Sequence, residues 1–124
     1  MFTPYTLFSA FAALFGWGGW AYYINDKADP TMGLMSGLTQ GLSSFFITLV
    51  TVIIVTKIYN KLNSKISKLI LPAIAVVSFL TVALAFIHMK IGTPMILLTI
   101  APSLTITFLF CVATAYKLSL NENT

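Results

Sequence analysis

Hydrophobic and polar positions fall in long blocks along this chain. Four runs, at about residues 5–24, 33–57, 69–87 and 94–116, are almost free of charge, and short polar segments separate them. Each run is near the ~20 residues that a helix needs to cross ~30 Å of hydrocarbon. The pattern predicts an all-α integral membrane protein. Residues 1–124 should form a single transmembrane domain, a compact bundle of four transmembrane helices with short loops.

The second run, GLMSGLTQGLSSFFITLVTVIIVTK, is the one on which the others are expected to assemble. Gly33, Gly37 and Gly41 recur at four-residue spacing and form a smooth stripe on a helix, which Gln40, Ser44, Thr48 and Thr51 extend. In lipid, small residues let backbones approach, and amides and hydroxyls then bond across the contact. This glycine zipper should meet the fourth helix through Thr99 and Ser103, or the same helix of a second copy. The fourth run carries Thr99, Ser103, Thr107 and Cys111 at the same spacing, with Pro102 in its middle. A mid-helix proline frees a carbonyl and kinks the helix, and Thr99 or Ser103 should satisfy that carbonyl.

The other segments punctuate this plan. Trp17, Trp20, Tyr22 and Tyr23 close the first run as an aromatic belt at a headgroup layer. Asp26 and Asp29 lie in a polar turn and read as solvated, with Pro30 ending any continuous helix. KIYNKLNSKISK places Lys57, Lys61, Lys65 and Lys68 beside Ile58, Leu62, Ile66 and Leu69. This is a basic amphipathic segment lying in the interface, bending at Asn63-Ser64 and touching anionic lipid. Pro72 should fall in the first turn of the third helix. His88 to Gly92 read as a tight outer turn with His88 solvated, and Thr93 as the N-cap of the fourth helix. Residues 118–124 read as a short polar tail.

Composition sharpens the class. Only 8% of the 124 residues are charged, against roughly a quarter in soluble domains. The net charge of +4, from seven lysines against three acids, is a topology signal and predicts no nucleic-acid partner. Four lysines between the second and third spans mark the cytoplasmic side and put both termini there, in a multi-pass protein of a bacterial inner membrane. Cys111 is the single cysteine, so no internal disulfide forms.

No carboxylate, lysine or arginine lies deep within a run, which argues against an ion-coupled transporter. No nucleophile–base pair, metal-ligand cluster or phosphate loop is visible, so no enzyme, metal or cofactor is expected. Length and span count are similar to those of the small multidrug resistance transporters, which depend on a carboxylate in the first span; here that span has none. GLTQGLSSF resembles the Gly-, Thr- and Phe-rich third span of dimeric fluoride channels but lies in the second span, and their other motifs are missing. Small four-helix proteins that move polyprenyl-linked sugars share size and topology. None of these resemblances covers enough of the chain to define a family.

Two functions fit these observations. One is a structural or accessory subunit, in a homo-oligomer or a larger membrane complex, with the glycine and hydroxyl stripes as packing seams. This is the preferred expectation, because uncharged hydroxyls in a span ordinarily serve packing. The alternative is a small carrier or channel for a neutral or amphiphilic solute, lipid-linked ones included. There the stripes of the second and fourth spans would line a path and Pro102 would be a hinge.

Overall fold

The computed structural model describes residues 3–122, and within them the chain is all-helical. The first and last two residues, including the end of the polar tail, lie outside the described residues. Helix α1 spans Pro4–Asp26, α2 Pro30–Lys61, α3 Lys65–Ile91 and α4 Ile96–Glu122. Three of them, α2, α3 and α4, are long and apolar enough to cross a membrane. The first helix falls short of that apolarity, because its second half is GWGGWAYYIND.

Several boundaries have a local cause. Thr3 caps α1 by accepting from Thr6 N at 3.1 Å, ahead of Pro4. Asp29 caps α2 by accepting from Thr31 N at 2.9 Å, ahead of Pro30. Both helices thus begin with an oxygen cap followed by proline, which arrives with its φ preset and no N–H to satisfy. Asp29 is therefore a capping residue. At the far end of α3, Gly92 takes φ 82°, its N–H reaches Met89 O, and Thr93 N reaches His88 O. This Schellman stop needs a left-handed residue, which glycine supplies without cost to a Cβ.

These ends correct several expectations. The lysine segment is no separate interfacial helix: Lys57 and Lys61 belong to the last turns of α2, and Lys65 and Lys68 to the first turns of α3. Only Leu62, Asn63 and Ser64 break the helix, at the expected bend. Because α3 starts at Lys65, Pro72 lies in its interior and not in its first turn. The turn after α3 comes later than expected, since the helix runs through His88 to Ile91. Helix α4 likewise continues past Tyr116 to Glu122, through the first part of the polar tail.

The helices form two antiparallel hairpins, α1–α2 and α3–α4, and α2 touches all three partners. The α1–α2 seam is the tightest. A Cβ placed on Gly41 would stand 2.7 Å from Leu14 O, one on Gly37 3.0 Å from Gly18 O, and one on Gly33 2.8 Å from Asp26 Cα. The glycine stripe therefore packs against α1, centred on Gly18, and not against α4 or a second copy as expected. Close approach of two backbones is what such a stripe permits. Phe11 and Phe45 meet edge-on at 5.0 Å along the same seam.

Toward the lysine end, Val55, Tyr59, Ala73, Val76, Cys111 and Ala115 form an apolar core shared by α2, α3 and α4. The core ends in a clasp: Tyr59 donates to Glu122 Oε2 at 2.9 Å, and Lys68 Nζ meets Glu122 Oε1 at 3.1 Å. Lys68 is thus held by a carboxylate, whereas Lys57, Lys61 and Lys65 are exposed. Outside, large apolar residues such as Phe8, Phe79, Val82 and Leu97 are more than 70% exposed, while Asn25, Ser36, Gln40, His88 and Thr99 are wholly buried. A soluble monomer seldom shows so much contiguous apolar surface.

Candidate functional site

The polar interior begins at the Schellman stop of α3. Closing the helix at Gly92 carries Thr93 back over His88, so that Thr93 bonds the His88 carbonyl through its N–H and the His88 ring through its hydroxyl. From there a chain of hydrogen bonds crosses the interior. His88 Nδ1 lies 2.7 Å from Thr93 Oγ1, and His88 Nε2 lies 2.8 Å from Gln40 Oε1. Gln40 Nε2 donates to Ser44 Oγ at 3.2 Å and to Ser103 Oγ at 3.1 Å. Ser36 and Thr93 hydroxyls meet at 2.9 Å.

The direction of this chain follows from valence. Both amide protons of Gln40 find serine oxygens only when its carbonyl faces His88. His88 must then donate from Nε2, which leaves Nδ1 as an acceptor for the Thr93 hydroxyl. Thr93 in turn accepts from Ser36. The opposite amide orientation would leave one buried N–H of Gln40 without an acceptor, at a cost of about 1–3 kcal/mol. His88 is therefore a wholly buried residue with both ring nitrogens bonded, and not the solvated turn residue that its place in the sequence suggests.

A second cluster locks α1 to the start of α4. Asn25 donates from Nδ2 to Thr99 Oγ1 and to Ala21 O, each at 2.8 Å, and its Oδ1 accepts from Met95 N at 2.8 Å. Asn25 thus supplies the cap of α4 that Thr93 was expected to give. Pro102 lacks an N–H, so the carbonyl four residues back, Leu98 O, has no partner within α4. Trp20 donates its indole N–H to that oxygen at 2.9 Å. The freed carbonyl is satisfied by α1, not by Thr99, which bonds Met95 O, nor by Ser103, which bonds Ile100 O. Trp20 accordingly has an internal partner and is more than a belt residue.

Below Gln40 the interior opens into a cavity of about 540 Å³, within the ~300–1,000 Å³ usual for ligand sites. Gln40, Ser44 and Ser103 form its polar end, and Thr48, Thr51 and Thr107 extend polar groups along one side. Trp17, Phe8, Tyr5 and Phe110 supply aromatic walls, with Leu80, Leu84 and Leu104 opposite. No Asp, Glu, Lys, Arg or His lines it. Helices α1 and α4 touch only sparingly, and the residues flanking their gap are open: Phe8 is 74%, Tyr5 63% and Ile106 50% exposed. The cavity therefore opens sideways, between α1 and α4. A smaller space of about 210 Å³ shares Tyr5 and Phe110 with it and continues toward Lys117.

Of the residues singled out from sequence, Gln40, Ser44, Thr48 and Ser103 come together on this cavity. Thr99 belongs to the Asn25 cluster, and Pro102 acts through Leu98 O. The glycines occupy a neighbouring face of α2, so the single polar and glycine stripe expected there is two faces with different partners. Sequence reasoning missed Asn25, Ser36, His88 and Thr93. A signal existed for His88: Ala73, Val76, Leu80, Leu84 and His88 recur at helical spacing, and that face of α3 turns inward. The sequence matches no family model, no curated protein and no solved structure.

Proposed function

We propose that this protein is a four-helix membrane bundle that carries a neutral amphiphile in the cavity between α1 and α4. The observation that supports this most directly is the form of that cavity. It has a polar end of amide and hydroxyl groups, aromatic and aliphatic walls, no charge, and a side opening onto apolar surface. A ligand with a compact uncharged head and a hydrocarbon tail matches each part. The head would sit against Gln40, Ser44 and Ser103, and the tail would leave between Phe8 and Ile106 into the acyl region. A charged head would be desolvated without a counter-charge, which costs several kcal/mol.

In this reading the bundle sits in the inner membrane of a bacterial cell with both termini cytoplasmic; the exposed apolar surface supports the bilayer, and the lysines flanking the α2–α3 turn support the orientation. Lys57, Lys61 and Lys65 would face anionic headgroups there, each worth about 1 kcal/mol. Reporter fusions should then read cytoplasmic after Asn60 and external after Asp29; the reverse pattern would overturn the orientation. The glycine stripe is packed against α1, so an accessory subunit would meet its partner through another face.

The deciding experiment is native mass spectrometry of the full chain taken from its own membranes in mild detergent. One neutral amphiphile per chain should accompany the protein. Thr107→Phe, which fills the cavity, should lose it, while Thr105→Phe, on the exposed side of the same helix, should keep it. An equimolar foreign protein in place of the lipid would return the accessory-subunit reading.

A further inference from the structure

We infer that the ligand of this cavity presents a hydrogen-bond acceptor, a carbonyl or ether oxygen on a neutral lipid chain, and that His88 is the positioning residue that sets this preference. The inference rests on the amphiphile-binding reading above and specifies its ligand.

At the polar end of the cavity, Ser103 gives its hydroxyl proton to Ile100 O. Along the side, Thr48 gives its proton to Ser44 O and Thr107 to Ser103 O. Ser44 differs. Its oxygen receives an amide proton of Gln40, and among the described residues its own hydroxyl proton meets no protein acceptor. Ser44 is buried, at 5% exposure, and lines the cavity. Its O–H is therefore a donor directed to whatever occupies the space, and an occupant with an acceptor oxygen completes it.

That polarity depends on Gln40. With its NH₂ toward the cavity, Gln40 occupies one lone pair on each of Ser44 and Ser103; Ser103 gives its proton to Ile100 O, and the Ser44 proton alone is left to the cavity. With the amide reversed, Gln40 Oε1 would take the Ser44 proton, and the serine oxygen would be left to accept. His88 holds the first arrangement by donating from Nε2 to Gln40 Oε1, and Thr93 holds His88 by donating to Nδ1. His88 does not line the cavity. It acts through Gln40. A second proton on His88 would leave this polarity unchanged, because Nε2 donates in both forms, with Thr93 turning its hydroxyl to Ser36. No charged side chain is bonded to His88; Asp26 ends α1, Lys27 and Asp29 lie in the turn before α2, Lys90 is on α3, and α4 carries no charged side chain before Lys117.

The test uses the full chain in nanodiscs and the fluorescence of Trp17, which lines the cavity. Three matched bromoalkyl chains serve as quenching probes. One ends in a methyl ester, which only accepts; one ends in a carbon-linked pyrrole, whose N–H only donates; one has no head group. The ester, which alone of the three can accept the Ser44 proton, should bind about tenfold more tightly than the pyrrole, the worth of that one hydrogen bond. Trp17→Phe should remove the head-group-dependent quenching and leave only that of Trp20. His88→Leu frees the Gln40 amide to turn, and the ester-to-pyrrole ratio should fall to within about twofold, whereas His88→Gln, which can still donate an N–H, should keep most of it. If His88→Leu does not fold, Ser44→Ala carries the test: it should cut ester binding about tenfold and leave the plain bromoalkane unchanged. An unchanged ratio in folded His88→Leu, or unchanged ester binding in Ser44→Ala, overturns the inference. Equal quenching by all three probes in the parent protein overturns it too while leaving the cavity a lipid site. Quenching by none would remove the amphiphile reading itself.

Discussion

Placing one methyl group on Gly41 should separate α1 from α2. An alanine Cβ there would stand 2.7 Å from Leu14 O and 3.3 Å from Gly18 Cα. Carbon and carbonyl oxygen settle at about 3.3–3.6 Å even in favourable contacts, so roughly 0.6 Å must be found. Both obstructing atoms are backbone, and no side chain can rotate away. The helices must part, which also loosens Gly37 against Gly18 and Phe11 against Phe45. Overpacking of this kind costs about 1–3 kcal/mol, and replacing Gly by Ala in a helix returns about 1 kcal/mol. A net loss of up to ~2 kcal/mol is expected for Gly41→Ala, and a larger one for Gly41→Leu. Gly19 is the internal control, since a Cβ there meets nothing within 4 Å. Gly19→Ala should gain up to ~1 kcal/mol, so the two substitutions differ in sign. Unfolding free energies in mild detergent, with Leu38→Ala as an outward-facing reference, measure this directly. Gly41→Ala as stable as Gly19→Ala would refute the reasoning, because the seam would then have room that the geometry denies it.

Three further outcomes follow from the polar contacts. Trp20→Phe should cost about 1 kcal/mol by leaving Leu98 O without its donor, and Pro102→Ala in the same chain should recover most of that, as a double-mutant cycle would reveal. Asn25→Ala should cost about 2–3 kcal/mol, since it removes the acceptor for Met95 N and the donor to Thr99 together; a loss below 0.5 kcal/mol in chemical unfolding would contradict the capping role. Glu122, beyond the apolar part of α4, is held below the usual carboxylate range by the Lys68 hydrogen bond first and the Tyr59 hydroxyl second. A depressed folded value means that its stabilisation is complete above the ordinary carboxylate pKa and is lost as pH falls through the lower folded one. Unfolding measured against pH should show that acid-side step in the parent protein and lack it in Glu122→Gln.

Much of the helical plan was legible in the sequence, because long uncharged runs bounded by Thr-Pro, Asp-Pro and Gly leave few alternatives. The glycine stripe was legible as a close-packing face, but its partner was not. Four-residue spacing says that a backbone can come near, not which one, and α1 carries Gly16, Gly18 and Gly19 with only Gly18 on the seam. His88 was misjudged for a reason specific to apolar chains. In a soluble protein the polar side of a helix marks the outside, whereas the middle of α3 carries only Ser78 and Thr81 and gives that bearing faintly. An ionisable residue near the end of a run then looks solvated, until the helix is seen to extend one more turn. The partners of Asn25 and Trp20 were unreadable because they lie across the fold: Asn25 bonds Thr99 74 positions away, and Trp20 bonds Leu98 78 away.

The capping of α4 by Asn25 has a consequence for biogenesis. The α1–α2 hairpin closes on itself between Leu14 and Gly41 and can settle as soon as both helices have left the ribosome. Asn25 cannot: its acceptor oxygen waits for Met95, 70 residues later in the chain. At ~5–20 residues per second that interval is roughly 4–14 s. For that time a side chain destined for complete burial is held at the turn between the first two helices with its partner still unmade. The last hairpin then arrives at a prepared amide. Its docking is fixed in register by a residue made before either of its helices existed.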